Sequence, residues 1–369
     1  MSDALVYYFG FPHYRREILG ALRQLQEPSF EFISGQTSRA NIATLSEGDV
    51  EGLTTVRSIR VGPVSWDRGV VRRAAGARYS TVILGPATLS LSTWAVLVAR
   101  RIRGRRTFLW GQCGRFGDRS LKRRIQELMN RLATGVLVYG ENEAVAATQM
   151  GLDASRVSVV NNATSSNADQ LRANDSDEVL DRAKRAAMIA NETGDLRLLF
   201  VGRLNGDKRL EVLLAAAEAL RPRFPRLVVD LVGDGDARES LRERFPGEWV
   251  RFHGWIYDDE KLRGLFQSTT LVCSPYHMGL LAIDALRAGT PVLVPNNPLN
   301  GSEVEALTPA VNSVRFDPGS EESLVEAVAT WFSVVETLDS EVYRQARESA
   351  LSTWDPPGVA NAISRAIAE

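Results

Sequence analysis

Two cations stand five positions apart in "FVGRLNGDKRL": Arg203 and Lys208, just past an apolar run that ends at Gly202. A glycine at that point lets a ligand approach the backbone. A second stretch, "CSPYHMGLLAIDALRAGTPVLVP" from Cys273 to Pro295, stops an apolar run at Pro275, passes Gly279 and opens a helical pattern. The backbone N–H groups of Met278, Gly279, Leu280 and Leu281 fall where a helix begins. They lack intrahelical acceptors there and carry the positive end of the helix dipole, so they suit phosphate oxygens. Two cations and a helix start together suit a diphosphate. Asp284, inside that helix, offers a short carboxylate. Tyr276 and His277 occupy the turn before it, and Glu303 follows the turn "PNNPLNG". With three histidines and two distant cysteines, Cys113 and Cys273, the sequence has no metal-ligand spacing, and no metal or cofactor is expected.

These residues need a scaffold that ends strands beside helix starts. Short apolar runs alternate with helical patterns along the chain: "ALVYYFG", "STVILG", "RTFLWG", "GVLVYG" and "RVSVVNNAT" in the first half, then "LRLLFVG", "RLVVDLVGDG", "VRFHGWI", "TTLVCSP", "PVLVP" and "SVRFDP". Such alternation predicts an α/β fold of parallel sheets, with ligands at the carboxyl ends of the strands. Residues 165–196 carry no strand pattern. The expected organisation is an N-terminal Rossmann-like domain over 1–165, a linker with its own helix over 166–196, and a second Rossmann-like domain over 197–351. A terminal helix over 352–369 is expected to pack back on the first domain.

The chain has 369 residues and a formal net charge of -1. Residues 1–165 hold 22 Lys+Arg against 13 Asp+Glu, so the first domain is basic and the remainder acidic. The charge concentrates in Arg100–Arg106 and Lys122–Arg124. Such clusters would suit an anionic acceptor or an acidic membrane surface. They lack the aromatic interleaving of nucleic-acid binders, so no nucleic acid is expected. Two unpaired cysteines fit a reducing compartment. With no leader-like or membrane-spanning run, a cytoplasmic protein is expected, peripheral at most on the inner membrane face.

The order of "FVGRLNGDKRLEVLLAA", "LVGDGDARESL", "VRFHGWIYDDEKLRGLFQSTTLVCSP", "GLLAIDALRAGTPVLV" and "NGSEVEALTPAVNSVRFDP" resembles the donor domain of GT-B glycosyltransferases of the large retaining family 4. The resemblance implies two doubly wound domains facing across a cleft. It gives Arg203 and Lys208 the charge developing on a leaving nucleoside diphosphate. It gives Gly202 and the segment Met278–Leu281 to the diphosphate, Asp284 to the ribose, and the Ile256 backbone to the base. It puts Gly10 across the cleft at the diphosphate, and Tyr276, His277 and Glu303 near the donor sugar.

Two positions depart from the family's pattern. Tyr276 stands where a first glutamate is usual, and Gln112 where a histidine often follows a strand; Gln112 remains able to hydrogen-bond the donor sugar. What the resemblance implies is transfer of a hexose from a UDP- or GDP-linked donor to a glycan or lipid-linked acceptor, with retention, in cell-surface polysaccharide or glycoconjugate synthesis. The alternatives are a catalytically silent glycosyltransferase-like subunit and a sugar-nucleotide epimerase or hydrolase on the same fold.

Overall fold

The computed structural model describes residues 3–36, 43–112, 121–164 and 176–369, and divides into two units. The first unit comprises 1–165 and 355–369, the second 166–354.

In the first unit the strands are β1 (Ala4–Tyr8), β2 (Phe30–Ser34), β3 (Leu53–Thr55), β4 (Ser58–Val61), β5 (Val64–Asp67), β6 (Thr81–Leu84), β7 (Arg106–Trp110), β8 (Gly135–Val138) and β9 (Val157–Val159). Seven form one parallel sheet in the order β3-β2-β1-β6-β7-β8-β9, and β4 pairs antiparallel with β5 as a separate hairpin. The order turns at β1 and β6, where the chain stops adding strands on one side and begins on the other. β1 and β6 are buried throughout, as central parallel strands covered on both faces must be. The helix Pro356–Ala368 starts with Asp355 accepting from the Gly358 N–H (2.7 Å) and with proline at its first position, a strong start signal. Its buried Val359, Ala360, Ile363 and Ile367 join Ile18, Leu19 and Leu22 in one apolar cluster.

The second unit has β10 (Arg197–Val201), β11 (Val228–Val232), β12 (Val250–Gly254), β13 (Leu271–Cys273), β14 (Val292–Pro295) and β15 (Ser313–Phe316). They form a parallel sheet ordered β12-β11-β10-β13-β14-β15. That order is the dinucleotide-fold order, with its switch point between β10 and β13. The segment expected as a linker holds the helix Ser176–Thr193, which is packed into this unit. Val179 from that helix meets Gly289, whose φ of +68° closes the helix Leu281–Ala288. A Cβ at Gly289 would lie 2.1 Å from Val179 Cγ1, so the glycine is needed for both the cap and the contact.

Among the described residues no helix is long and apolar enough to cross a membrane. The basic run Arg100–Arg106 is not all surface. Arg100 is fully buried and donates to the carbonyls of Ala74, Ser80 and Arg106 and to Thr107 Oγ1. Burial pushes its pKa down to about 10. Arg100 therefore cannot serve a lipid surface, because its donors are spent on backbone. Arg123 pairs with Glu127 at 2.8 Å, while Cys113, Arg119 and the Lys122 side chain lie outside the described residues. Cys273 is a buried free thiol whose pKa is pushed up by burial.

Candidate active site

The site residues of the second unit gather where β10 and β13 end, at the switch point of its sheet. The turn after β10 is fastened backbone to backbone. Gly202 N–H donates to Val232 O (2.9 Å), Leu204 N–H to Asp234 O (3.0 Å) and Ala237 N–H to Leu204 O (2.9 Å). Gly233 N–H donates to Gly254 O (2.8 Å), which carries the clamp on to the end of β12. Gly233 has a φ of +125°, and a Cβ there would lie 1.9 Å from Gly202 O. Only glycine fits. The clamp fixes where Arg203 and Lys208 leave the backbone.

Arg203 is exposed, and Lys208 is half-buried at the end of a short 3-10 turn, Gly206–Lys208. Lys208 Nζ donates to His277 Nε2 at 3.0 Å. An ammonium has no lone pair, so that ring nitrogen is unprotonated. Asp207 Oδ2 lies 3.8 Å from the same nitrogen, beyond hydrogen-bond range. Burial lowers the Lys208 pKa; Asp207 opposes this in part, and the neighbouring Arg203 adds a smaller lowering of its own. The two cations are thus close enough to repel, an arrangement that a dianionic ligand relieves. Arg209, in the left-handed region at φ +50°, lays its guanidinium 4.1 Å from the centre of the Tyr276 ring. Tyr276 therefore enters this turn as a platform for a cation.

On the other side of the switch point, the loop Tyr276–Met278 is held by asparagines. Asn297 Nδ2 donates to Tyr276 O (2.6 Å), and Met278 N–H donates to Asn300 Oδ1 (2.9 Å). Asn300 Nδ2 is anchored on Pro295 O (2.7 Å), and Gly301 N–H returns to Met278 O (2.7 Å). The sequence reading did not single out Asn297 or Asn300. Their signal was two asparagines in a turn after a strand, where such side chains bind backbone. Met278 also departs from expectation: it is buried, and its N–H is engaged by Asn300. The first intrahelical bond runs from Ala282 N–H to Gly279 O (2.9 Å). The N–H groups ahead of that bond and outside the asparagine latch are those of Gly279, Leu280 and Leu281, which are the anion donors that remain.

Glu303 is buried in the 3-10 turn Ser302–Ala306 and approaches this helix start. A Cβ on Gly301 would fall 2.1 Å from Glu303 Oε2, and one on Gly279 3.8 Å from it. Asp284 is half-buried in the first turn of the helix Leu281–Ala288. Ile256 lies just past β12, half-buried against the core, between exposed Trp255 and Tyr257. The second unit thus brings together Gly202, Arg203, Lys208, Tyr276, His277 and the helix start, with Glu303 beside it, while Ile256 stands at the sheet's far edge.

Gly10 and Gln112 belong to the first unit. Gly10 is buried two residues past β1, and Gln112 is exposed two residues past β7. A further feature of that edge escaped the sequence reading. Arg15 is buried among Tyr8, Trp110 and Tyr139, its guanidinium 3.8 Å from the Trp110 ring centre.

Residues 195–333 match the family model described as glycosyl transferases group 1. An uncharacterized glycosyltransferase of Methanocaldococcus jannaschii is 32% identical over 147 residues, 38% of this chain and 36% of that one. A glycogen synthase of Mycobacterium tuberculosis is 30% identical over 148 residues, 35% and 36% of the two chains. The chain spans about a third of the length of these curated relatives. The Anabaena protein HepE, solved in complex with UDP, superposes over all of both chains with a TM-score of 0.72 at 18% identity. Whole-chain likeness in fold and segment likeness in sequence meet over the second unit: the chain has the GT-B fold, and its residues 195–333 match the glycosyl transferases group 1 model.

Proposed function

We propose that this chain is a glycosyltransferase that moves a hexose from a nucleoside diphosphate sugar to an acceptor hydroxyl with retention. The observation that supports it most is the clustering of Arg203, Lys208 and the N–H groups of Gly279–Leu281 at the switch point of one sheet. HepE carries UDP and UDP-glucose in its own structures, which favours a UDP-linked donor over a GDP-linked one here.

In the proposed reaction the bond from the anomeric carbon to the diphosphate oxygen breaks while the acceptor oxygen bonds to that carbon on the same face. The acceptor proton passes to the leaving diphosphate oxygen. Negative charge grows on the diphosphate, and Arg203, Lys208 and the helix start stabilise it. A dianion beside the Lys208 ammonium would raise its pKa again, against the lowering by burial. Asp284 is assigned to the ribose hydroxyls and the Ile256 backbone to the base. Tyr276, His277, Glu303 and Gln112 are assigned to the sugar, and Gly10 to the diphosphate. Cell-surface polysaccharide or glycoconjugate synthesis is the proposed setting, with a glycan or lipid-linked acceptor.

The test is calorimetric titration with UDP, GDP, ADP and dTDP, with and without magnesium. Micromolar binding of one nucleotide, independent of magnesium and lost in Arg203→Ala, supports the reading. Absence of binding by all four favours a silent subunit, for which Tyr276 in place of a carboxylate is the supporting feature.

A further inference from the structure

The chain buries several arginines, and the way each is satisfied separates their roles. Arg100 places Nε on Thr107 Oγ1 (3.0 Å), Nη1 on Ala74 O (2.9 Å) and Nη2 on Arg106 O (2.8 Å). Arg347 likewise donates to Leu286 O (3.2 Å), Arg287 O (2.9 Å) and Ser176 Oγ (3.1 Å). These two brace chain segments by collecting backbone carbonyls that burial would otherwise leave unmet.

Arg15 is as deeply buried, at 2% exposure, and collects no carbonyl among the described residues. It lies on aromatic faces, 3.8 Å from the Trp110 ring centre, 5.0 Å from Tyr8 and 5.4 Å from Tyr139. Its Nη2 donates to the Tyr139 hydroxyl. Nε and Nη1 have no acceptor among the described residues, and neither does the indole N–H of Trp110. The nearby carboxylate of Glu143 is engaged by the Tyr139 backbone N–H. An ionised group without a counter-charge is costly to bury, and rings offset only part of that cost.

The place is equally specific. Tyr8 ends β1, Trp110 ends β7 and Tyr139 follows β8, so the rings stand on the carboxyl edge of the sheet, where ligands of such folds bind. Gly85, past β6, makes room for this arrangement. A Cβ there would lie 2.7 Å from the Tyr8 ring, which crosses above β6 so that its hydroxyl donates to Trp110 O.

We propose that Arg15, with the indole N–H of Trp110 and the Tyr139 hydroxyl, forms a site for an oxyanion, a phosphate or carboxylate carried by a ligand of the first unit. That the ligand is the acceptor rests on the function proposed above; the site itself does not. Arg15 is closed off from solvent, so entry of the anion needs the short turn His13–Arg15 to shift. That turn is a 3-10 segment with no side-chain cap.

The test uses the full chain carrying Arg203→Ala and Lys208→Ala, which removes the cations assigned to the donor diphosphate. Inorganic phosphate and acetate are titrated calorimetrically at constant ionic strength. Saturable binding of either anion is expected, weakened at least about tenfold by Arg15→Met and by Trp110→Phe, the latter keeping a ring under Arg15 but no N–H. Preference for phosphate assigns a phosphorylated ligand, and preference for acetate a carboxylate. No saturable binding, or binding unchanged by both variants, overturns the proposal. Should Arg15→Met fail to fold, Trp110→Phe and Tyr139→Phe decide. UDP titration of the chain with native Arg203 and Lys208 reads the donor site separately, so either result can fail without the other.

Discussion

The carboxyl edges of the two sheets are built from different materials. In the second unit the strand ends are tied by main chain: Gly202, Leu204, Gly233 and Ala237 exchange backbone hydrogen bonds, and glycines remove the Cβ atoms in the way. In the first unit main-chain ties are present as well, from the N–H groups of Gly35 to Tyr8 O, Gly85 to Tyr7 O and Gly111 to Leu137 O, but the edge is dominated by side chains, with Tyr8, Trp110 and Tyr139 packed around Arg15. A backbone clamp holds its cations at fixed places for a ligand group whose shape does not change. An aromatic surround can be re-cut by single substitutions. On the function proposed above, the contrast suits a donor half that always meets a diphosphate and another half whose ligand varies.

Breaking the clamp should have the largest effect. Gly233→Ala puts a methyl group into Gly202 O at a left-handed φ, and a loss of about 3–5 kcal/mol is expected in denaturant unfolding. Arg100→Met should cost nearly as much, about 3 kcal/mol, since several buried carbonyls lose their donor. Arg15→Met should be neutral or stabilising by up to about 1–2 kcal/mol, because it removes a buried charge that the surrounding rings offset only in part. Equal losses for the two arginines, read by the same unfolding assay, would remove the distinction drawn between them.

Gly279→Ala should leave the melting temperature unchanged, since an added Cβ meets nothing nearer than 3.8 Å. It should still weaken UDP binding about tenfold by standing in front of the helix start. A variant that binds UDP as well as its parent would take Gly279 out of the site. The smallest effect concerns protons. Lys208 has a folded pKa below its unfolded value of 10.5, so its deprotonated form is relatively favoured in the free protein. The associated stability cost is full below the lowered pKa and is relieved as pH rises through 10.5. A diphosphate raises that pKa again. UDP binding in alkaline buffer should therefore take up a fraction of a proton, seen as a buffer-dependent calorimetric enthalpy that Lys208→Ala abolishes.

The second edge was largely legible in the sequence, and the first was not. Gly202, Arg203, Lys208 and Gly279 sit in short local patterns, strand then glycine then cation or helix, which sequence order alone exposes. The parallel sheets followed from apolar runs such as "LLFV" and "TVIL". Arg15 could not be found that way, because its neighbours Trp110 and Tyr139 come from distant strands and none has a chemistry that singles it out. The latch by Asn297 and Asn300 was missed for a related reason: asparagine in a turn is common, and only the fold shows that it reaches back across more than twenty residues. The strands β2 and β3 and the hairpin β4–β5 carry no clear pattern in the sequence, being short and interrupted by polar residues. The helix Ser176–Thr193 reads as linker because only Val179 and Leu180 among its buried positions are large and apolar, the rest being alanine and serine.

The helix Pro356–Ala368 completes a core whose other members lie before residue 165. On the ribosome, that helix is made only after the whole second unit. Until then Ile18, Leu19 and Leu22 lack their cover, so the first unit keeps an apolar face open while the second is being made. The order of synthesis therefore leaves the first unit, though begun first, incomplete until the chain is finished, and the more in need of protection from aggregation.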